Sequence, residues 1–267
     1  MIDRPRVVVV QNSERSGAGR LPDWLAEDGI DSVVVSGADL PVHLTHPSAE
    51  ARPSAVRPPM ARSDTRMELP GGSAAVNGLV LLGGGFMPDD DERAPFLPHE
   101  RALVREAMTA GVPVLGICLG AQLLAHVAGG EVTAKSGETE RGSCPIELLA
   151  AAGNDPLFSG LTGYEELRMI QNHKDSITML PPGAVHLATS EACRVQAFRV
   201  GAAAWGVQFH PEASAARLAD WDESKLAAEG FDRAALLAQA TADADVNTVQ
   251  ARALLGAFAD IVREACR

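Results

Sequence analysis

The sequence predicts an α/β fold: an open, mixed and mostly parallel sheet with flanking helices and a helical C-terminal tail. Three observations carry this. Arg6–Val10 is an apolar run with β-branched residues, four valines in a row after Arg6, as expected of a strand buried on both faces. A polar, Gly-bearing turn from Ser13 to Gly19, a short helix around Leu21 to Glu27 and a second strand at Asp31 to Ser36 then complete a strand–helix–strand unit, whose spacing implies parallel pairing. The same alternation resumes at Gly78 and continues to Val127.

Taken in order, the later elements follow from local chemistry. Gly37 to Asn77 holds Pro41, Pro47, Pro53, Pro58, Pro59 and Pro70 without a clear period, and reads as a Pro-rich insert, either a functional lid or a tolerated surface loop. Gly78 to Leu82 is a buried strand closed by Gly83-Gly84-Gly85. A helix from about Pro98 to Ala110 stops at Gly111, a strand runs from Val112 to Ile117, and a helix from Leu119 to Val127 ends at Gly129-Gly130. Glu131 to Phe209 is strand-rich, with turns at Asn154-Asp155-Pro156 and Pro181-Pro182-Gly183. From 215 to 267 the tail is helical, and Val249, Leu254, Leu255, Phe258, Ile261, Val262 and Ala265 form one apolar stripe expected to pack on the main body. We expect a single domain over 1–267 carrying the insert at 37–77 and the extension at 215–267.

Composition excludes several classes. A chain of 267 residues, 46% apolar and 22% charged, can bury a large core. Its net charge of −12 repels phosphate backbones, so nucleic acid is not an expected partner. No stretch approaches the roughly 20 apolar residues of a membrane helix, and the N-terminal valine run is too short for a signal-peptide core. The cysteines at 118, 144, 193 and 266 form no CxxC pair, so neither a zinc ribbon nor a thioredoxin-type site is expected. The expectation is a reduced, cytoplasmic protein without metal or cofactor.

The chemistry centres on Gly116-Ile117-Cys118-Leu119-Gly120, set between an apolar strand and a helix. G-x-nucleophile-x-G on a tight strand-to-helix turn is a nucleophile elbow: its glycines avoid side-chain clashes, and the turn lifts the nucleophile to a helix N-terminus. That position favours the thiolate, the attacking form. The alternative is a small buried cysteine that only packs.

The elbow needs a base. His210 follows the strand-like Trp205–Phe209 and opens His210-Pro211-Glu212. Residues two apart in an extended chain share a side, so Glu212 is placed to hydrogen-bond one ring nitrogen and aim the other at sulfur. A tetrahedral intermediate also needs oxyanion donors. One is the N–H of Leu119; the other comes from the glycine triplet, which lacks the company of a phosphate-binding loop.

With these residues in place, the sequence resembles the triad (class I) glutamine amidotransferases, and most of all the stand-alone members similar to the amidotransferase domain of GMP synthase. The resemblance rests on the Cys118 elbow with Gln122, the Gly-rich strand end and Gln208-Phe209-His210-Pro211-Glu212, and runs from about Val7 to Ser214 outside the insert. It implies a flavodoxin-like fold. It further implies attack of Cys118 on the glutamine side-chain amide, with His210 and Glu212 completing the triad and Gln122 helping to hold glutamine. Gln171–Asp175 is similar to the family's Q-x-H-x-D stretch, which implies substrate contacts for His173 and Asp175. Two departures stand out. Gly85 replaces the usual proline, leaving the donor open between Gly84, the preferred one, and Gly85. Arg141 sits where an aromatic is frequent.

His126, Cys144, Cys193 and Cys266 lack such contexts, and Asp89–Glu92 reads as a solvated carboxylate run rather than a metal site. The expected partners are glutamine and a separate synthetase, since nothing in the tail resembles a nucleotide-binding module. The alternatives are a hydrolase of γ-glutamyl amines or peptides using the same triad, and a regulatory protein on the same scaffold; the intact Cys, His and Glu set argues against the last.

Overall fold

The computed structural model describes residues 4–40, 67–68 and 75–267. The strands are β1 (Arg6–Gln11), β2 (Asp31–Ser36), β3 (Met67–Glu68), β4 (Ala75–Val76), β5 (Gly78–Leu81), β6 (Val114–Ile117), β7 (Glu131–Thr133), β8 (Glu140–Leu148), β9 (Leu167–His173), β10 (Ser176–Met179), β11 (Val185–Thr189), β12 (Ala197–Val200) and β13 (Ala204–Val207). The helices are α1 (Leu21–Glu27), α2 (Leu97–Ala110), α3 (Leu119–Val127), α4 (Glu223–Ala228), α5 (Arg233–Ala242) and α6 (Ala244–Ala265). Nine strands form one sheet in the order β2-β1-β5-β6-β13-β12-β11-β8-β9. Pairings from β2 through to β13 are parallel and those beyond alternate antiparallel, so β11 and β9 again run with the parallel five. This is the expected mixed, mostly parallel sheet with flanking helices.

The period of two along the central strands sorts the core into two layers. Val7, Val9, Val80, Leu82, Leu115 and Ile117 point to one face, with Leu21 and Leu25 of α1 and Leu254, Leu255, Phe258 and Val262 of α6. Val8, Val10, Leu79, Leu81 and Val114 point to the other, with Leu103, Val104 and Ala107 of α2 and Ala121, Leu124 and Ala125 of α3. The tail therefore supplies a layer of the sandwich, beside α1. Its stripe is shifted from the expected one: Val249 is 56% exposed, while Asn247, Gln250 and Ala251 are buried. The reason is polar. Asn247 donates to the Arg168 carbonyl and Gln250 to the Glu166 carbonyl, tying the helix start to β9.

Gly111 ends α2 in the left-handed conformation expected of a helix stop (φ 70°). β2 is an edge strand, with Val33 and Val34 exposed. Of the Pro-rich insert, Gly37–Asp39 forms a 3-10 turn capped by Ser36 Oγ, and β3 pairs with β4; residues 41–66 and 69–74 lie outside the described residues. Among the described residues no helix is long and apolar enough to cross a membrane.

Candidate active site

Three adjacent strands, β5, β6 and β13, end at the same edge of the sheet. The carboxyl ends of parallel strands deliver their following residues to one crevice. Gly83–Gly85 follow β5, Cys118 follows β6, and Gln208–Glu212 follow β13. Parallel pairing thus assembles groups that are far apart in sequence.

Cys118 adopts φ 53° and ψ −107°, a strained conformation for a residue with a Cβ, and α3 starts at the next residue. Its N–H is pinned to the Val207 carbonyl (2.8 Å) and its carbonyl accepts from the Gln122 N–H (3.0 Å). Both elbow glycines are required by space. A Cβ on Gly116 would lie 2.7 Å from the Ala121 nitrogen, and one on Gly120 would overlap the Leu81 carbonyl and lie 2.7 Å from Leu81 Cβ. Gly120→Ala should therefore cost about 3 kcal/mol, the upper range for overpacking, read as a lowered urea midpoint with unchanged slope.

His210 and Glu212 are together as their spacing predicts: Nδ1 lies 2.8 Å from Glu212 Oε1, both side chains being buried. Burial pulls the His210 pKa down, but the charges of Glu212 and the Cys118 sulfur outweigh it and raise the value to about 10. The ring is an imidazolium held between a carboxylate and sulfur. Its backbone is fixed by the His210 N–H to the Ile170 carbonyl (2.8 Å). Glu212 is held from behind: the Arg20 N–H donates to its carbonyl, and Arg20 Nη2 donates to the Pro211 and Ala213 carbonyls. Gly19, at φ +53°, permits this approach, because a Cβ there would overlap the Glu212 carbonyl.

The glycine triplet lies against these groups. A Cβ on Gly83 would lie 3.0 Å from His210 Cε1 and 3.5 Å from Cys118 Cβ, whereas the Cβ position of Gly85 has open space. A Cβ on Gly84 would press Leu119 Cδ2 and Asn12 Cβ.

Gln122, His173 and Asp175 are placed differently from a simple substrate ring. Gln122 is buried, and its Nε2 donates to the Asp175 carbonyl (3.0 Å) and to Gln208 Oε1 (3.3 Å). His173 turns away from the cleft, with Nε2 3.0 Å from Glu140 Oε2, and Asp175 Oδ1 accepts from the Lys135 N–H. In the extended β9 chain the neighbours of His173 face the opposite side. Asn172 and Lys174 therefore line a cleft of about 1120 Å³, with Arg141, His210, Trp221 and Glu229. Residues of the C-terminal extension thus form one wall of it.

Two contacts escaped sequence reasoning. Gln208 Nε2 lies 3.6 Å from Cys118 Sγ, within range of a weak hydrogen bond to sulfur. Its place in Gln208–Glu212 was visible, but not its direction. Arg141 spans from the Glu140 and His173 carbonyls to Glu229 of the extension, explaining why a cation replaces an aromatic there.

The donor atoms of Glu140, His173 and Cys193 approach within 4.8 Å of one another, the one such group among the described residues. Each is already engaged. Glu140 accepts from Ser190 and Gln196, and Cys193 Sγ donates to Glu138. Burial, then Glu138 and Glu140, push the Cys193 thiol up, so it stays protonated, and a hydrogen-bond network accounts for the cluster. Within the carboxylate run 89–92, Asp90 pairs with Arg93 and Asp91 with Arg101.

Comparison with known proteins agrees with this geometry. Residues 49–220 match the family described as glutamine amidotransferase class-I. Over 137 residues the chain is 38% identical to a glutamine-hydrolyzing GMP synthase subunit from Haloarcula marismortui, covering 51% of this chain and 64% of that protein. It is 36% identical to the glutamine-hydrolyzing GMP synthase of Xanthomonas axonopodis pv. citri over 139 residues, 51% of this chain but 25% of that one. The match therefore spans less than two thirds of these relatives. A crystal structure of a glutamine amidotransferase from Thermotoga maritima superposes with a TM-score of 0.75 at 26% identity, covering 97% of this chain and 99% of that one. One from Methylobacillus flagellatus gives 0.72 at 25% identity, covering 96% and 94%. The elbow, the buried His–Glu pair and these matches lead to one conclusion: the chain belongs to the class-I glutamine amidotransferase family.

Proposed function

We propose that this protein hydrolyses the side-chain amide of glutamine through a glutamyl thioester and supplies the ammonia to a separate acceptor. The observation that carries the reading is the strained Cys118 at the start of α3 beside the buried His210–Glu212 pair. Cys118 Sγ attacks the amide carbon, and the carbonyl electrons move to oxygen, held by the N–H groups of Leu119 and Gly84. The tetrahedral intermediate collapses as the C–N bond breaks, and His210 gives its proton to the departing ammonia. A water then gives a proton to His210 and attacks the thioester, releasing glutamate and restoring sulfur. Gln122 supports this arrangement by bridging the elbow helix to Gln208 and to the turn at Asp175, while Asn172 and Lys174 present polar groups to the substrate. We place the protein in the cytoplasm, working with a separate synthetase, in line with the naming of the archaeal relative as one subunit of a GMP synthase.

A second reading, hydrolysis of γ-glutamyl amines or peptides, is favoured by the size of the cleft. About 1120 Å³ lies above the range of roughly 300–1,000 Å³ that serves drug-sized ligands, far more than glutamine fills. Steady-state kinetics separate the readings. We expect slow glutamine hydrolysis by the isolated chain and stimulation by a synthetase of the GMP synthase type. Fast cleavage of γ-glutamyl amides with little activity on glutamine would instead assign the second substrate class.

A further inference from the structure

A fully buried carboxyl group that plays no part in the triad lies behind the glycine strand end. Glu100, in the first turn of α2, has no exposed surface, and among the described residues neither of its oxygens meets a hydrogen-bond donor. It faces Asn12, just beyond β1. A Cβ on Gly37 would lie 2.6 Å from Glu100 Oε1, 2.8 Å from Asn12 Oδ1 and 2.9 Å from Phe96 Cδ2, so the two oxygens converge where only a glycine fits. The Asn12 amide has no freedom to turn over. Its Nδ2 donates to the Leu82 carbonyl (3.1 Å), which leaves Oδ1 toward Glu100, itself without a donor. A carboxyl group with no exposed surface and no donor among the described residues is favoured in its un-ionised form, whose O–H can be offered to the neighbouring Asn12 Oδ1.

The Leu82 carbonyl belongs to the peptide whose N–H is that of Gly83, one peptide before the proposed Gly84 donor. Asn12 also sits beside this segment, since a Cβ added to Gly84 would lie 3.1 Å from Asn12 Cβ. We infer that un-ionised Glu100 and Asn12 form a buried latch that fixes the Leu82–Gly84 peptides, making Glu100 a positioning residue for the oxyanion site. The inference rests on the amide-hydrolase reading for its catalytic consequence, though not for the latch itself.

Removing the proton would leave a buried carboxylate against Asn12 Oδ1 and release the strand end. Burial raises the Glu100 pKa to about 8, opposed by the neighbouring Asn12 amide and, less, by the charge of Arg101. Arg101 is itself engaged by Asp91. Among the described residues, the other ionisable groups on α2 are His99, Arg105 and Glu106, and neighbouring elements carry Asp39 in the 3-10 turn, Glu68 on β3 and His126 on α3.

The test compares wild type, Glu100→Gln and Glu100→Ala. Glutamine carries a donor to Asn12 and never ionises. Wild-type kcat should fall through an ionisation near 8, toward the roughly hundredfold loss of a missing oxyanion donor, with KM little changed. Glu100→Gln should match wild type at pH 7 and stay flat from pH 7 to 9, and Glu100→Ala should be slow throughout. A second readout is independent of turnover: in protein labelled with ¹⁵N-glycine, the Gly83 and Gly84 amide resonances should titrate near pH 8 in wild type and not in Glu100→Gln. Superimposable pH profiles and amide titrations in wild type and Glu100→Gln would overturn the latch. Glycine amides that titrate in a wild-type protein lacking all hydrolysis and thioester formation would uphold the latch and overturn the activity.

Discussion

Cys118→Ala is expected to abolish amide hydrolysis, by about 10⁶-fold if the triad acts as a unit as in other nucleophilic hydrolases. An electrophilic glutamine analogue is expected to modify wild type at Cys118 alone. The selectivity has a physical basis in the other three thiols. Burial and Glu140 push Cys144 up to about 12, burial and two carboxylates raise Cys193, and burial raises Cys266. Only Cys118 stands at a helix N-terminus facing an imidazolium. Peptide mapping reads the result, and an adduct on Cys144, Cys193 or Cys266 in the folded protein would remove Cys118 from the role. Gly120→Ala perturbs the backbone rather than the sulfur, so the two substitutions separate nucleophile from scaffold.

The second large effect concerns the pair behind the nucleophile. His210→Ala should reduce turnover about as far as loss of the sulfur, and Glu212→Gln by roughly 10⁴-fold while substrate still binds. Removing the Glu212 charge takes away the larger of the two charges that raise the His210 pKa. Burial then acts against less opposition, the pKa falls, and the imidazolium is lost at lower pH. The linkage has a definite sign. The raised His210 pKa contributes stability that is complete below the unfolded value near 6.5 and is lost as pH rises through about 10. Wild type should therefore lose stability across that alkaline window, and Glu212→Gln should lose less. Histidine ring NMR and thermal unfolding across the range from about pH 6 to about pH 10 measure both. A Glu212→Gln variant with near-normal turnover would show that Glu212 is not the third member.

The pattern of legibility follows from the range of each interaction. The elbow could be read because every constraint on it is local: a strand, two glycines, one strained residue and a helix meet within Gly116–Gly120. His210 and Glu212 could be read for the same reason, since a two-residue spacing in extended chain fixes their common side. Gln122 and His173 were named by motif, but their partners lie across the fold: Gln122 meets Asp175 and Gln208, and His173 meets Glu140. Nothing local to either residue reports those directions.

The alternating α/β pattern, the Cys118 elbow and the His210–Glu212 pair were thus legible without any structure, because they arise from backbone periodicity and short-range sterics. What depends on strand order, and on which helix covers which face, came only with the completed fold. Placing β5, β6 and β13 side by side brought the glycine triplet, the sulfur and the imidazole to one edge. Laying α6 beside α1 turned a C-terminal tail into a layer of the core. On the opposite face, α2 packed with α3 and β6 and left the Glu100 carboxyl with no exposed surface and, among the described residues, no donor, a chemical state no local pattern around residue 100 encodes. Desolvation is a property of the whole surroundings, and those surroundings are assembled only when distant segments pack together.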